Sequence, residues 1–179
     1  MAAVLGLDDD VVRAVCTEAA AGEVVEAVNF NSPGQVVVAG HKTAVERVVE
    51  LAKAKGAKRA LLLPVSVPSH CALMQPAAEK LASVLEGVAI QPPQIPVINN
   101  VDVAMPTDSV AIRSALVRQL HSPVRWVETV QKMAVDGVDR LIECGPGKVL
   151  VGLNKRIERN MAAKAVFDAD SLAAALAEE

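Results

Sequence analysis

The stretch VSVPSHCALM, residues 65–74, sets His70 between a turn region carrying Pro64 and Pro68 and a helix-forming run. A neutral imidazole, with an ordinary pKa near ~6.5, can take up and return a proton close to neutral pH, which suits general-base work. A base needs a group to act on, and an activated serine is the first to seek. The serines at 32, 66, 69, 83, 109, 114, 122 and 171 all lie outside a GxSxG pattern, the strained elbow that exposes a nucleophile above a sheet. Ser69 adjoins His70 too closely in the chain for the usual base geometry and is expected to cap the following helix. By residue type alone His70 is a candidate base, and its pattern leaves open whether it is catalytic.

The other candidates are weaker. GPGKVL, residues 145–150, follows a strand-like run and precedes a helical one, but a phosphate loop would need Gly at Ile142 and Ser or Thr at Val149. A dinucleotide fingerprint fails at Leu150, so a tight strand-to-helix turn is expected. His41 and His121 each stand at an expected helix start, without a partner at i+4 and without the cysteines or acids that complete a metal set. Exposed or capping histidines are expected there, and no metal site. Cys144 follows LIE at a strand end, where a packed thiol is expected over a reactive one.

The elements that must position His70 can be read from periodicity. AAVLGL is a short strand, followed by an acidic start and the stripe Val11, Val12, Val15 and Ala19 of a helix. EVVEAVNF and QVVVAG are β-branched runs joined by the turn formers NSPG, a hairpin pattern. HKTAVERVVELAKAKG puts Val45, Val48, Val49 and Ala52 on one helical face, with Gly56 at its end, and KRALLLPV supplies a fourth strand. The sum is βαββαβ, a ferredoxin-like order. Pro64 and Pro68 place a boundary near Ser66, giving domains of residues 1–66 and 67–179.

The second part is α/β with fewer strands. A helix is expected from about Cys71 to Leu85, with Leu81, Val84 and Leu85 inward and Pro76 confined to its first turn. VINNV reads as a short strand after the proline-rich QPPQIP, and Asp108 caps a helix to Leu120. Ser122-Pro123 reads as a cap followed by proline at the first helical position, opening a helix to about Ala134. DRLIECGPGKVLVGL reads strand, turn, helix; a weak strand near AVF and a terminal helix, DSLAAALAEE, finish the chain. These three strands have the apolar character of parallel strands buried on both faces, so the sheet is expected to be incomplete within this sequence.

Composition narrows the classes. Apolar residues make up 52% of the 179, against 22% charged, which suffices for a sizeable core and argues against disorder. A net charge of −3 and only Phe30, Trp126 and Phe167 as aromatics give neither a basic footprint nor a stacking surface, so nucleic acid is not an expected partner. Cys16, Cys71 and Cys144 are odd in number and lack CxxC spacing, which points to a reducing compartment, the cytoplasm by default. Charges or prolines interrupt each apolar run before it could span a bilayer, and MAAVLGLDDD lacks the basic start of a signal peptide.

Five segments together, VNFNSPGQVVVAG, LLPVSVPSHCALMQPAAEKL, INNVD, LVRQLHSPVRW and IECGPGKVLVGL, resemble the bacterial malonyl-CoA:acyl-carrier-protein transacylases, the acyltransferases of type II fatty-acid synthesis. The resemblance runs through essentially the whole sequence in order. It implies an α/β-hydrolase-like domain interrupted by a small ferredoxin-like subdomain, with this sequence giving the subdomain and the C-terminal part of the larger domain. It implies ping-pong transfer, in which a serine in a GHSLG elbow takes malonyl from malonyl-CoA and passes it to the phosphopantetheine thiol of acyl carrier protein. His70 matches the family's base, and Gln119 matches the glutamine whose main-chain carbonyl holds the other ring N–H, replacing the acid of the usual triad. Asn31 matches a position lining the acyl pocket. No cofactor is implied beyond the two substrates.

The departure is large, because the family's serine, oxyanion donors and carboxylate-binding arginine belong to an upstream portion that these 179 residues do not include. The expectation is that this sequence alone does not transfer malonyl groups. The alternative is a catalytically inert fragment or a module that binds carrier protein without chemistry.

Overall fold

Valine-rich strands and amphipathic helices alternate in the first part because each can bury one face only against the other. In the computed structural model, which describes residues 1–177, the elements run β1 (Ala2–Leu5), α1 (Asp9–Ala20), β2 (Val25–Ser32), β3 (Gln35–Gly40), α2 (Lys42–Ala54) and β4 (Arg59–Leu62). The strands form one antiparallel sheet in the order β2-β3-β1-β4. Val12, Val15, Cys16 and Ala19 of α1 and Ala44, Val45, Val48 and Val49 of α2 pack against Ala2, Val4, Val36, Val38 and Ala60 on one face of the sheet. Each fully buried valine contributes about 1.5–3 kcal/mol. Val37 and Ala39, pointing the other way from β3, pack with Val28 and Cys71 on the second face.

Local chemistry sets the ends of these elements. Pro33 and Gly34, the latter at φ +70°, turn the β2–β3 hairpin. α2 closes on Gly56 at φ +90°, with the Gly56 N–H bonded to the Lys53 carbonyl and the Ala57 N–H to the Ala52 carbonyl. Arg47 of α2 reaches the Ala19 and Ala20 carbonyls at 2.7 and 2.9 Å, satisfying acceptors that the end of α1 leaves open.

The chain divides into two compact units, the first Met1–Trp126 and the second beginning at Val127. Within the first, a single 3-10 turn (Ala72–Met74) leads to α3 (Gln75–Glu86), and α4 (Ser109–His121) packs on α3. The expected helix from Cys71 thus starts at Gln75, where Pro76 falls in the first turn. Leu85 is buried as expected, but Val84 is 65% exposed. VINNV is not a strand. No described strand lies beside it, and it folds on itself, the Asn99 side chain accepting from the Val101 and Asp102 N–H groups. Asp108 caps α4 as expected, accepting from the Ala111 N–H at 2.8 Å. His121 closes that helix and does not open one.

Ser122-Pro123 does not open a helix either, since α5 is Trp126–Val135. Val124 instead bonds the open edge of β2, donating to the Val28 carbonyl at 2.8 Å and accepting from the Phe30 N–H at 3.0 Å. His41 occupies the cap position of α2 and is exposed, but its Nδ1 accepts from the Val24 N–H, 3.0 Å away, and makes no cap bond.

The second unit holds β5 (Arg140–Cys144), α6 (Val149–Ile157), β6 (Ala162–Val166) and α7 (Ala169–Leu176). β5 and β6 are parallel neighbours, and neither is buried on both faces. Among the described residues β5 pairs with β6 alone, and Cys144 at its end is exposed, contrary to the packed position expected. Gly145–Lys148 is the strand-to-helix turn anticipated, and Glu143 already accepts from the Val151 N–H at the start of α6, at 2.9 Å. Asp168 and Ser171 form a reciprocal cap on α7. The last two residues of the expected terminal helix lie outside the described ones.

Candidate functional site

His70 takes a left-handed backbone conformation, φ +68°, which costs a non-glycine residue strain and persists only where the surroundings fix it. Its neighbour Cys71 is fully buried beneath β3, among Val28, Val37 and Ala39, and its thiol donates to the Pro68 carbonyl at 3.2 Å. The His70 N–H donates to the Leu120 carbonyl at 3.0 Å, and the ring Nδ1 lies 2.7 Å from the Gln119 carbonyl oxygen. Both acceptors belong to the last turn of α4, where helix carbonyls have no intrahelical donor. The end of α4 and His70 thus satisfy each other.

That geometry fixes the tautomer. A carbonyl oxygen can only accept, so Nδ1 carries the hydrogen and the neutral ring keeps its lone pair on Nε2. Among the described residues Nε2 makes no hydrogen bond. Two further ties place α4. Arg113 donates to the Leu85 carbonyl at 2.9 Å and to the Val88 carbonyl at 2.6 Å, holding α4 to the end of α3. Beyond α4, Val124 is clamped to β2 and the Arg125 N–H donates to the Asn100 carbonyl at 2.9 Å.

His70 opens on a cavity of about 320 Å³ lined by Ser69, His70, Met74, Asn100, Gln119 and Leu120. No charged side chain lines it. The structure therefore brings His70 and the Gln119 main chain into contact, the pair that the resemblance named. It does not place Asn31 in this cavity: Asn31 sits half-buried at a bulge of β2, between the pairs Phe30–Val36 and Ser32–Gln35. Ser69, expected to cap a helix, makes no cap bond, because the 3-10 turn is entered from Cys71 and α3 from Met74, which leaves Ser69 outside both cap positions. Asn100 and Met74 were not singled out by sequence reasoning, and only the INNVD segment carried a signal for the former.

The cysteines offer little as nucleophiles in this unit. Burial, reinforced by Glu26, pushes the Cys16 thiol up to about 12, and burial also pushes up Cys71. Among the described residues there is no group of three His, Cys, Asp or Glu side chains fit to hold a metal ion, and no helix long and apolar enough to cross a membrane.

Residues 1–169 match the family model described as the acyl transferase domain. The chain is 59% identical over 176 residues to the malonyl CoA-acyl carrier protein transacylase of Escherichia coli K12, covering 98% of this chain and 57% of that protein. It is 61% identical over 171 residues to the protein of the same name from Haemophilus influenzae, covering 96% and 55%. Among solved structures, a malonyl-transacylase in complex with its type II PKS acyl-carrier protein superposes with a TM-score of 0.98 at 57% identity, covering 99% of this chain and 58% of that one. An acyl-carrier-protein S-malonyltransferase from Burkholderia pseudomallei gives 0.95 at 60% identity, covering 98% and 57%. The chain thus spans somewhat more than half the length of these relatives. It belongs to the acyl transferase domain family, and its relatives there are malonyl CoA-acyl carrier protein transacylases.

Proposed function

We propose that this chain carries the general base of a malonyl transferase that moves malonyl from malonyl-CoA to the phosphopantetheine thiol of acyl carrier protein. The observation that carries the reading is the 2.7 Å contact of His70 Nδ1 with the Gln119 carbonyl, which in the neutral ring puts the hydrogen on Nδ1 and the lone pair on Nε2, in a residue that lines the cavity. The nucleophilic serine would come from a segment outside these 179 residues, in the same polypeptide or in trans. As its oxygen attacks the thioester carbon, Nε2 takes the serine proton. The C–S bond breaks and the proton passes to the leaving CoA sulfur. In the second half Nε2 takes the proton of the carrier thiol, the thiolate attacks the malonyl ester, and the proton returns to serine. The Gln119 carbonyl accepts from the ring throughout, as the triad's acid does elsewhere. CoA and phosphopantetheine enter as parts of the substrates, so no separate cofactor is invoked. Residues 1–66 form the ferredoxin-like subdomain in this reading, residues 67–179 the end of the hydrolase-like domain, and Asn31 lines the acyl pocket at their junction. The setting is the cytoplasm and type II fatty-acid synthesis.

The test is covalent mass increase on incubation with malonyl-CoA. The 179-residue chain alone should gain no malonyl group. Joined to the upstream segment that its longer relatives carry, it should gain one, about 10²–10⁴-fold more slowly with His70→Ala. A His70-dependent adduct on the chain alone would reveal another nucleophile. A folded, joined protein that gains none but still binds carrier protein would favour the non-catalytic binding module.

A further inference from the structure

Asn100 is held by its main chain and leaves its side chain unused. The turn that carries it is built by Asn99, whose Oδ1 accepts from the N–H groups of Val101 and Asp102 at 3.2 and 2.7 Å and whose Nδ2 donates to the Ala104 carbonyl at 3.0 Å. Val103 in that turn is left-handed, at φ +56°. Asp102 pairs with Arg118 of α4, and the Asn100 carbonyl accepts from the Arg125 N–H. Among the described residues the Asn100 side-chain amide makes no hydrogen bond, and Asn100 is one of the residues that line the cavity beside His70. A polar group held in place and left without a partner is one that a ligand can complete.

The chemistry of the cavity limits that ligand. With no lysine or arginine in its lining, it offers nothing to hold a carboxylate or a phosphate as an ion pair. Its lining residues offer a hydroxyl (Ser69), a thioether (Met74), the His70 imidazole and two primary amides, those of Asn100 and Gln119, each of which donates and accepts at once; Asn100 is the one of the two that does not sit in the helix whose main chain holds His70. The complement of a primary amide is a secondary amide, with one N–H and one carbonyl. The thioester arm shared by CoA and the carrier's prosthetic group is neutral and carries secondary amides. We infer that Asn100 is a substrate-positioning residue whose amide binds an amide of the pantetheine arm, so that the thioester is presented to His70; this rests on the malonyl-transfer reading above.

The test uses the chain joined to its upstream segment. Asn100→Ala should raise KM for malonyl-CoA about two- to tenfold, the range for one neutral hydrogen bond, with kcat little changed. Asn100→Leu, which keeps much of the shape and loses both donor and acceptor, should do the same. The malonyl thioester of propanethiol, which has no amide, should be used equally well by wild type and both variants. Both the CoA half-reaction and the carrier half-reaction should show the effect, since they share the arm. Binding of free pantetheine needs no chemistry, and in labelled wild type it should shift the NMR signals of the Asn100 amide. Unmoved signals, or KM values indifferent to Asn100 while His70→Ala abolishes transfer, would overturn the inference and leave the base assignment standing. Absence of transfer in the wild type would instead overturn the malonyl-transfer reading, with the pantetheine titration still deciding for or against Asn100.

Discussion

Reactivity and titration are properties of single side chains, and for Cys16, Cys71 and Glu23 they are set by surroundings that can be named. Cys16 and Cys71 are buried and their thiols are pushed up, while Cys144 is exposed. Treating the native chain with a thiol-alkylating reagent at pH 7.5 and mapping the peptides should show Cys144 modified first and the other two only on unfolding. Early modification of Cys71 would contradict its burial under β3 and with it the anchoring of His70. Glu23 accepts from Thr43 at 2.6 Å and from Arg47 at 2.8 Å, and these bonds hold its carboxyl below the ordinary 4.5. A carboxyl lowered in the folded state adds stability that is present above its unfolded value and fades as pH falls through the folded one. Glu23→Gln should therefore show a constant deficit in urea midpoint from pH 8 down to about 5, narrowing below that. A deficit independent of pH would mean that packing, and not charge, sets the role of Glu23.

At the scale of elements, the site depends on which segment completes the edge of β2. Val124 does so, and its N–H bond to the Val28 carbonyl fixes the chain that leaves α4 just after the two carbonyls that hold His70. Val124→Pro removes that donor and should cost about 1–3 kcal/mol in thermal or urea unfolding. Loss of that bond with no change in stability would show that the edge is not needed. Gly40 is a stricter point: a Cβ there would come within 2.1 Å of the Val24 carbonyl oxygen, so Gly40→Ala should cost about 1–3 kcal/mol or more by the same measurement. These two contrast in how far the sequence announces them. The hairpin, α1 and α2 are legible because their signals are local: the Pro33-Gly34 turn, the spacing of Val45, Val48 and Val49, and Gly56. SPVRW looked like a helix start because its local pattern is one, but Val124 answers to an open strand edge more than ninety residues earlier. VINNV likewise has strand composition and no strand to pair with. His70 stood out as a candidate, but its partner lies 49 positions away, and only the resemblance pointed to Gln119.

For the whole molecule, the apolar excess and the burial pattern have to be reconciled. A chain with 52% apolar residues could bury nearly all its large ones, yet Val84, Ile95, Val97 and Val110 are 65, 77, 60 and 72% exposed in the first unit. In the second, Val135, Val149 and Leu176 are 84, 70 and 59% exposed. Scattered single apolar residues on a surface need no explanation. Here they coincide with a parallel pair, β5–β6, that lacks the neighbours parallel strands normally have, and with a chain that spans just over half of its relatives. These side chains are apolar surface that the described residues leave uncovered. The 179-residue chain alone should bind the dye ANS and self-associate as its concentration rises, with charged substitutions at Ile95 and Val97 reducing both. On the malonyl-transfer reading, the chain joined to the segment proposed to carry the serine should lose most of the dye signal and sediment as one species. A monomeric, dye-silent chain on its own would mean that these residues are exposed singly and form no apolar patch.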